Sequence, residues 1–132
     1  MSNEHQPPPV PTQFGVFYPL GHVVALQSRE DTECMRQLLL DGGYDERDVI
    51  VWDSAQVATG ARELLQSASI LAKLFGAELE AMHKHIELAD AGYTFLAAYS
   101  PTDLDTRRLM NVARRFRYEL AQKYDRFAIT EL

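Results

Sequence analysis

Gly21-His-Val-Val-Ala-Leu-Gln27, followed at once by Ser28-Arg-Glu-Asp31, decides the fold. His22 to Leu26 is a short apolar run, and Ser28 with Asp31 fits a helix-start box in which a hydroxyl and a carboxylate satisfy free backbone amides. A strand therefore hands over to a helix. Met35, Leu38 and Leu39 follow at helical spacing, and Gly42-Gly43 permits the left-handed stop that ends a helix. Tyr44 to Asp48 reads as a turn. Val49-Ile-Val-Trp52 is a second short, β-rich run, with Asp53 or Ser54 placed to cap what comes next. The unit is β-α-β.

Working outward, Ser54 to Asp90 is made mostly of good helix formers. Leu64, Ala68, Leu71 and Phe75 form one stripe, and Leu79, Met82, Ile86 and Ala89 a second, so two helices, or one broken near Gly76, fit. Gly92-Tyr-Thr-Phe-Leu-Ala-Ala-Tyr99 reads as a strand. Ser100-Pro-Thr-Asp103 predicts a helix start with a serine cap, proline in the first turn and an acid at the third position. The helix it opens presents Leu109, Val112, Ala113 and Phe116. Tyr118, Leu120 and Tyr124 then fit a last strand, with continued helix as the alternative. The order predicts an α+β fold of the ferredoxin-like, split β-α-β kind: a four-stranded antiparallel sheet with helices on one face and a helical insert between the second and third strands.

Val23-Val-Ala-Leu26, Gly42-Gly-Tyr-Asp-Glu-Arg-Asp-Val-Ile-Val51, Ala91-Gly-Tyr-Thr-Phe-Leu96 and Tyr124-Asp-Arg-Phe-Ala-Ile-Thr-Glu-Leu132 together resemble the bacterial heat-induced or general-stress-protein-like small domains of unknown function. The resemblance covers most of residues 21 to 132 and rests on apolar and turn patterns. It implies a ferredoxin-like, stress-linked module and no catalytic residues to carry over. The helical insert is longer and poorer in glycine than that family's.

The chain has 132 residues, 46% hydrophobic and 24% charged, which suits one domain over residues 14–132 with a single core. Residues 1–13, holding Pro7, Pro8, Pro9 and Pro11, predict a disordered tail. Phe14 to Leu20 reads as an apolar extended arm. No apolar run is long enough for a membrane span and the start lacks a basic-then-apolar leader, so a cytoplasmic protein is expected. The one cysteine, Cys34, excludes an internal disulfide and cysteine-cluster zinc.

A net charge of −6 disfavours nucleic acid and anionic membranes. The charge is unevenly spread: Glu30 to Asp90 holds 13 acidic and five basic residues, Arg107 to Arg126 seven basic and two acidic. With the arm, this division points to a homodimer.

Glu80-Ala-Met-His83 has the spacing of carboxylate-bridged metal sites, but His83 and His85 lie on opposite sides of a helix and cannot share one ion. No metal and no cofactor are expected, and both histidines read as surface residues beside the Leu79, Met82, Ile86 stripe. Tyr93, Phe95 and Tyr99 approach the aromatic signature of RNA-binding strands, yet Ala91 stands where a basic residue belongs and Ala98 where an aromatic does, so core packing of the three is the expected role. Arg107, Arg108, Arg114 and Arg115 recur at seven-residue spacing and predict a basic strip for an anionic partner. No phosphate loop, nucleophile elbow or His-Glu-x-x-His occurs, and nothing local activates Cys34 in mid-helix.

His22, Trp52 and Tyr93 remain the residues best suited to line a small-molecule pocket. The expected function is a non-enzymatic interaction or ligand-sensing module acting as a homodimer. The alternatives are a small cofactor-free enzyme and an RNA-binding module.

Overall fold

The computed structural model describes residues 21–67, 76–99, 102–124 and 129–132. They run β1 (Gly21–Leu26), α1 (Arg29–Asp41), a 3-10 turn (Glu46–Asp48), β2 (Val49–Trp52), α2 (Ser54–Gln66), α3 (Gly76–Asp90), β3 (Thr94–Tyr99), α4 (Asp103–Ala113), β4 (Tyr118–Tyr124) and β5 (Ile129–Glu131). The five strands form one antiparallel sheet in the order β2-β3-β1-β4-β5. No helix among these residues is long and apolar enough to cross a membrane.

The expected boundaries of the first half hold because their signals are local. Ser28 caps α1, its hydroxyl accepting from the Asp31 amide at 3.1 Å. Asp53 caps α2 with a full capping box: the Gln56 amide donates to its carboxylate, and the Gln56 side chain accepts from the Asp53 amide. Gly43, past the end of α1, has φ +112°, a conformation side-chain-bearing residues avoid. Residues 118–124, left open between helix and strand, are β4. One start signal shifts: α4 is capped by Thr102, whose hydroxyl accepts from the Asp105 amide at 3.1 Å. Thr102 supplies the same chemistry as the predicted Ser100, which lies outside the described residues.

Two expectations are corrected. A fifth strand, β5, adds to the β4 edge through Gln122–Glu131, Lys123–Thr130 and Tyr124–Ile129 pairs. Helices also cover both faces of the sheet, not one, and the expected single core is divided between them. β1 is the middle strand and every residue of it is buried. Val24 and Leu26 pack with Met35, Leu39, Leu109 and Met110 of α1 and α4. Val23 and Ala25 pack with Val57, Leu88 and Ala89 of α2 and α3. An uninterrupted apolar run, rather than alternation, is what a strand buried on two faces requires.

α2 and α3 both pack on the face of the sheet that carries Val23 and Ala25, and against each other. Leu88 and Ala89 of α3 face the sheet, whereas its Met82 and Ile86 meet Ala61, Leu64 and Leu65 of α2. The predicted arm at residues 14–20, the tail at 1–13, and Ala68, Leu71 and Phe75 of the first insert stripe lie outside the described residues.

Candidate functional site

α3 sits over the β4–β5 side of the sheet and leaves a cleft of about 680 Å³ there. Glu80, Ala81, His83, Lys84 and Glu87 of α3 form one wall, and Glu119, Leu120 and Gln122 of β4 with Ile129 and Glu131 of β5 form the other. The β4 wall depends on an irregularity in pairing. Ala25 opposes Leu120 but Leu26 opposes Tyr118, so Glu119 is an extra residue in the β1–β4 ladder. Leu120 packs on the α3 side of the sheet and Tyr118 on the α1 side, two positions that regular alternation would put on one face. The bulge re-aims the chain and turns Glu119 toward the cleft, a device that recurs beside functional sites.

A chain of polar side chains runs inward from the cleft wall. Gln122, 4% exposed, donates from Nε2 to Glu131 Oε2 at 2.7 Å. Its Oε1 accepts from the Tyr124 hydroxyl, also at 2.7 Å. The same hydroxyl oxygen lies 3.5 Å from Nε2 of His85, which is fully buried on the sheet-facing side of α3. The His85 ring also packs against Phe95, with centroids 5.5 Å apart and planes at 45°. Burial pushes the His85 pKa down to about 4, partly offset by a hydrogen bond to the Ala81 backbone one turn earlier. Burial, reinforced by the Glu131 charge, pushes the Tyr124 hydroxyl well above its ordinary value.

His85 is the residue that sequence reasoning misplaced. Expected on the surface with His83, it is sealed in the core, while His83 is exposed. The signal present was Ala81, His85 and Leu88 at i, i+4 and i+7, all buried, beside the row that faces α2. Among the described residues no group of three or more His, Cys, Asp or Glu is placed to hold a metal ion. Cys34 is exposed on α1.

The three predicted pocket residues are not brought together. His22 is fully buried on the α1–α4 side, its Nε2 2.9 Å from the Thr106 hydroxyl. Trp52 is buried in the core on the opposite face, and Tyr93 packs against that core from its margin. None of them lines either cleft described here. Phe95, central to the aromatic RNA-binding pattern, is fully buried.

The basic strip is broken as well. α4 ends at Ala113, so Arg114 is its C-cap and Arg115 lies in the following turn. Arg107 is exposed, but Arg108 reaches across to α1. It donates to the Gly42 carbonyl, pairs with Asp105 at 3.7 Å and lies over the Tyr44 ring, 5.5 Å from its centroid. The Tyr44 hydroxyl in turn donates to the Asp105 carbonyl at 3.1 Å. Tyr44, Asp105 and Arg108, with Gly43, Asp45, Asp48 and Tyr99, border a second, smaller cleft of about 310 Å³. There Arg108 joins the end of α1 to α4.

No protein-family model, no curated protein and no solved structure matches the chain.

Proposed function

We propose that this chain is a ligand-sensing module without catalytic chemistry, and that the cleft between α3 and the β4–β5 edge receives a small molecule. The observation that carries the reading is the conjunction in one wall of a bulge that turns Glu119 toward the cleft and a buried glutamine, Gln122, that reaches it. The volume is that of a small-molecule site, with an apolar base at Ala81, Leu120 and Ile129 and polar groups around it, the usual composition of such sites. His85 and Tyr124, the titratable members of the buried polar chain behind that wall, are held neutral through the physiological range by burial. That suits those two to recognition rather than to proton transfer.

The finer fold reading belongs with this proposal. β2-β3-β1-β4 with alternating directions supports a ferredoxin-like split β-α-β sheet extended by β5 and by a helical insert on its second face. The sequence resemblance to general-stress-like domains supports a stress-linked role, and the uneven charge distribution supports a homodimer.

Native mass spectrometry of the gently purified full chain tests the reading. A dimer carrying a co-purified small molecule is expected, and Glu119→Trp, which fills the cleft from an exposed bulge position, removes the added mass. Wild-type protein that flies bare, or an unchanged load in Glu119→Trp, overturns the cleft assignment. A strict monomer overturns the dimer.

A further inference from the structure

The cleft between α3 and the β4–β5 edge is rich in acceptors and poor in donors. Glu80 and Glu87 on the helix wall and Glu119 and Glu131 on the strand wall supply four carboxylates, against the single ammonium of Lys84. An ionised carboxylate only accepts. Lys84 is paired with Glu87 on its own helix at 3.9 Å. Gln122 gives an amide N–H to Glu131, and its oxygen is taken by the Tyr124 hydroxyl. Glu80 and Glu119, one on each wall, are exposed and have no hydrogen-bond or ion-pair partner among the described residues. Between the walls the floor is apolar, made by Ala81, Leu120 and Ile129.

These walls narrow the ligand's chemistry. An anion meets four like charges, and walls of one sign over an apolar floor concentrate cations instead. A quaternary ammonium binds on aromatic faces, and no Phe, Tyr or Trp lines this cleft among the described residues. A metal ion needs ligands that converge, whereas these carboxylates are spread over two walls and no group of three or more among the described residues is placed to hold one. A protonated alkyl amine satisfies every wall: its N–H groups donate to carboxylates and its methylenes cover the floor. We propose that the cleft takes an alkyl diamine or longer polyamine, with one ammonium on Glu80 of α3, another on Glu119 of the β4 bulge, and the chain between them on Ala81, Leu120 and Ile129. This rests on the cleft reading and adds to it the chemical class of the ligand. The extra residue in the β1–β4 ladder is then the one that supplies the carboxylate opposite the helix wall.

Isothermal titration of the full-length chain with 1,4-diaminobutane, spermidine, butylamine and magnesium, at low and at physiological salt, tests the class. Both polyvalent amines are expected to bind at one site per chain, more weakly as salt rises. Butylamine, which keeps the carbon chain but has one ammonium, is expected to bind about ten-fold more weakly than the diamine. Glu80→Gln and Glu119→Gln, both at exposed positions, are each expected to weaken the diamine about ten-fold while leaving the thermal midpoint near that of the wild type. Glu30→Gln removes the same charge from the exposed surface of α1, away from the cleft, and is expected to leave the affinity unchanged. Magnesium or butylamine binding as tightly as the diamine, or Glu30→Gln weakening it as much as Glu119→Gln, would reduce the effect to general attraction by an acidic chain and overturn the proposal. A co-purified mass in native mass spectrometry that no diamine displaces overturns the amine class and leaves the cleft reading standing, whereas a bare chain that binds no amine overturns both.

Discussion

His85 and Tyr124 face each other at 3.5 Å between α3 and β4, each at most 1% exposed, so an imidazole and a phenol share one dry compartment. Such a pair is tolerated only while both are neutral.

The His85 pKa is lowered from 6.5 to about 4 in the folded chain. Below pH 6.5 the unfolded chain takes up a proton that the folded chain refuses, so stability falls as pH drops through that window. The loss is complete below about pH 4 and absent above 6.5. At ~1.4 kcal/mol per unit the full effect is on the order of 3 kcal/mol. Urea denaturation of wild type and His85→Leu at pH 7, 5.5 and 4.5 checks this. The stability difference between the two proteins is expected to shift in favour of the variant as pH falls.

Phe95 discriminates between a packing strand and a base-stacking strand. It is fully buried in the core beneath α3, and Phe95→Ala is expected to destabilise by about 3–5 kcal/mol through lost transfer energy and the cavity left behind. Tyr93→Ala, at the margin of the same core, is expected to lose clearly less. Equal and small losses in chemical denaturation would favour the alternative, base-stacking role for the strand.

Gly43 and Gly92 separate backbone strain from a steric clash. Both have positive φ, +112° and +93°, so alanine at either is strained by about 1–2 kcal/mol. A Cβ at position 43 would also sit 3.1 Å from Arg108 Nη2, whereas nothing lies within 4 Å of one at position 92. Gly43→Ala is therefore expected to be the more destabilising, and the excess is expected to vanish in an Arg108→Ala background, where the clash has no partner.

What the sequence disclosed and what it hid follow from the range of the forces involved. Ser28 and Asp53 cap their helices through bonds three residues away, so both were legible, as was the continuous apolar run of β1. His85 was not, because α3 is packed against two elements and its periodicity cannot say which row meets which. The stripe read as buried includes Leu79, which is 36% exposed. β5 has only three residues, too few for alternation to register, and its existence depends on the free edge of β4. Among the described residues, the cleft is lined by the last two strands and the insert helix. The Glu119 bulge is a property of the pairing with β1 and leaves no trace in β4 alone.

That bulge also offers the sharpest separation of structure from function. Deleting Glu119 leaves Leu120 opposite Ala25 and Tyr118 opposite Leu26, the partners they already have, and restores regular alternation between the two faces. The removed side chain is exposed, and no cluster of the core includes it. A chain held together by packing should thus melt cooperatively at or above the wild-type midpoint, since an interrupted ladder has become a continuous one. The cleft, however, loses a wall residue and the twist that opens it. The expected outcome is retained thermal stability by circular dichroism together with loss of the co-purified mass in native mass spectrometry. A collapse of stability would make the bulge a requirement of the fold, and an undiminished load would detach it from the site.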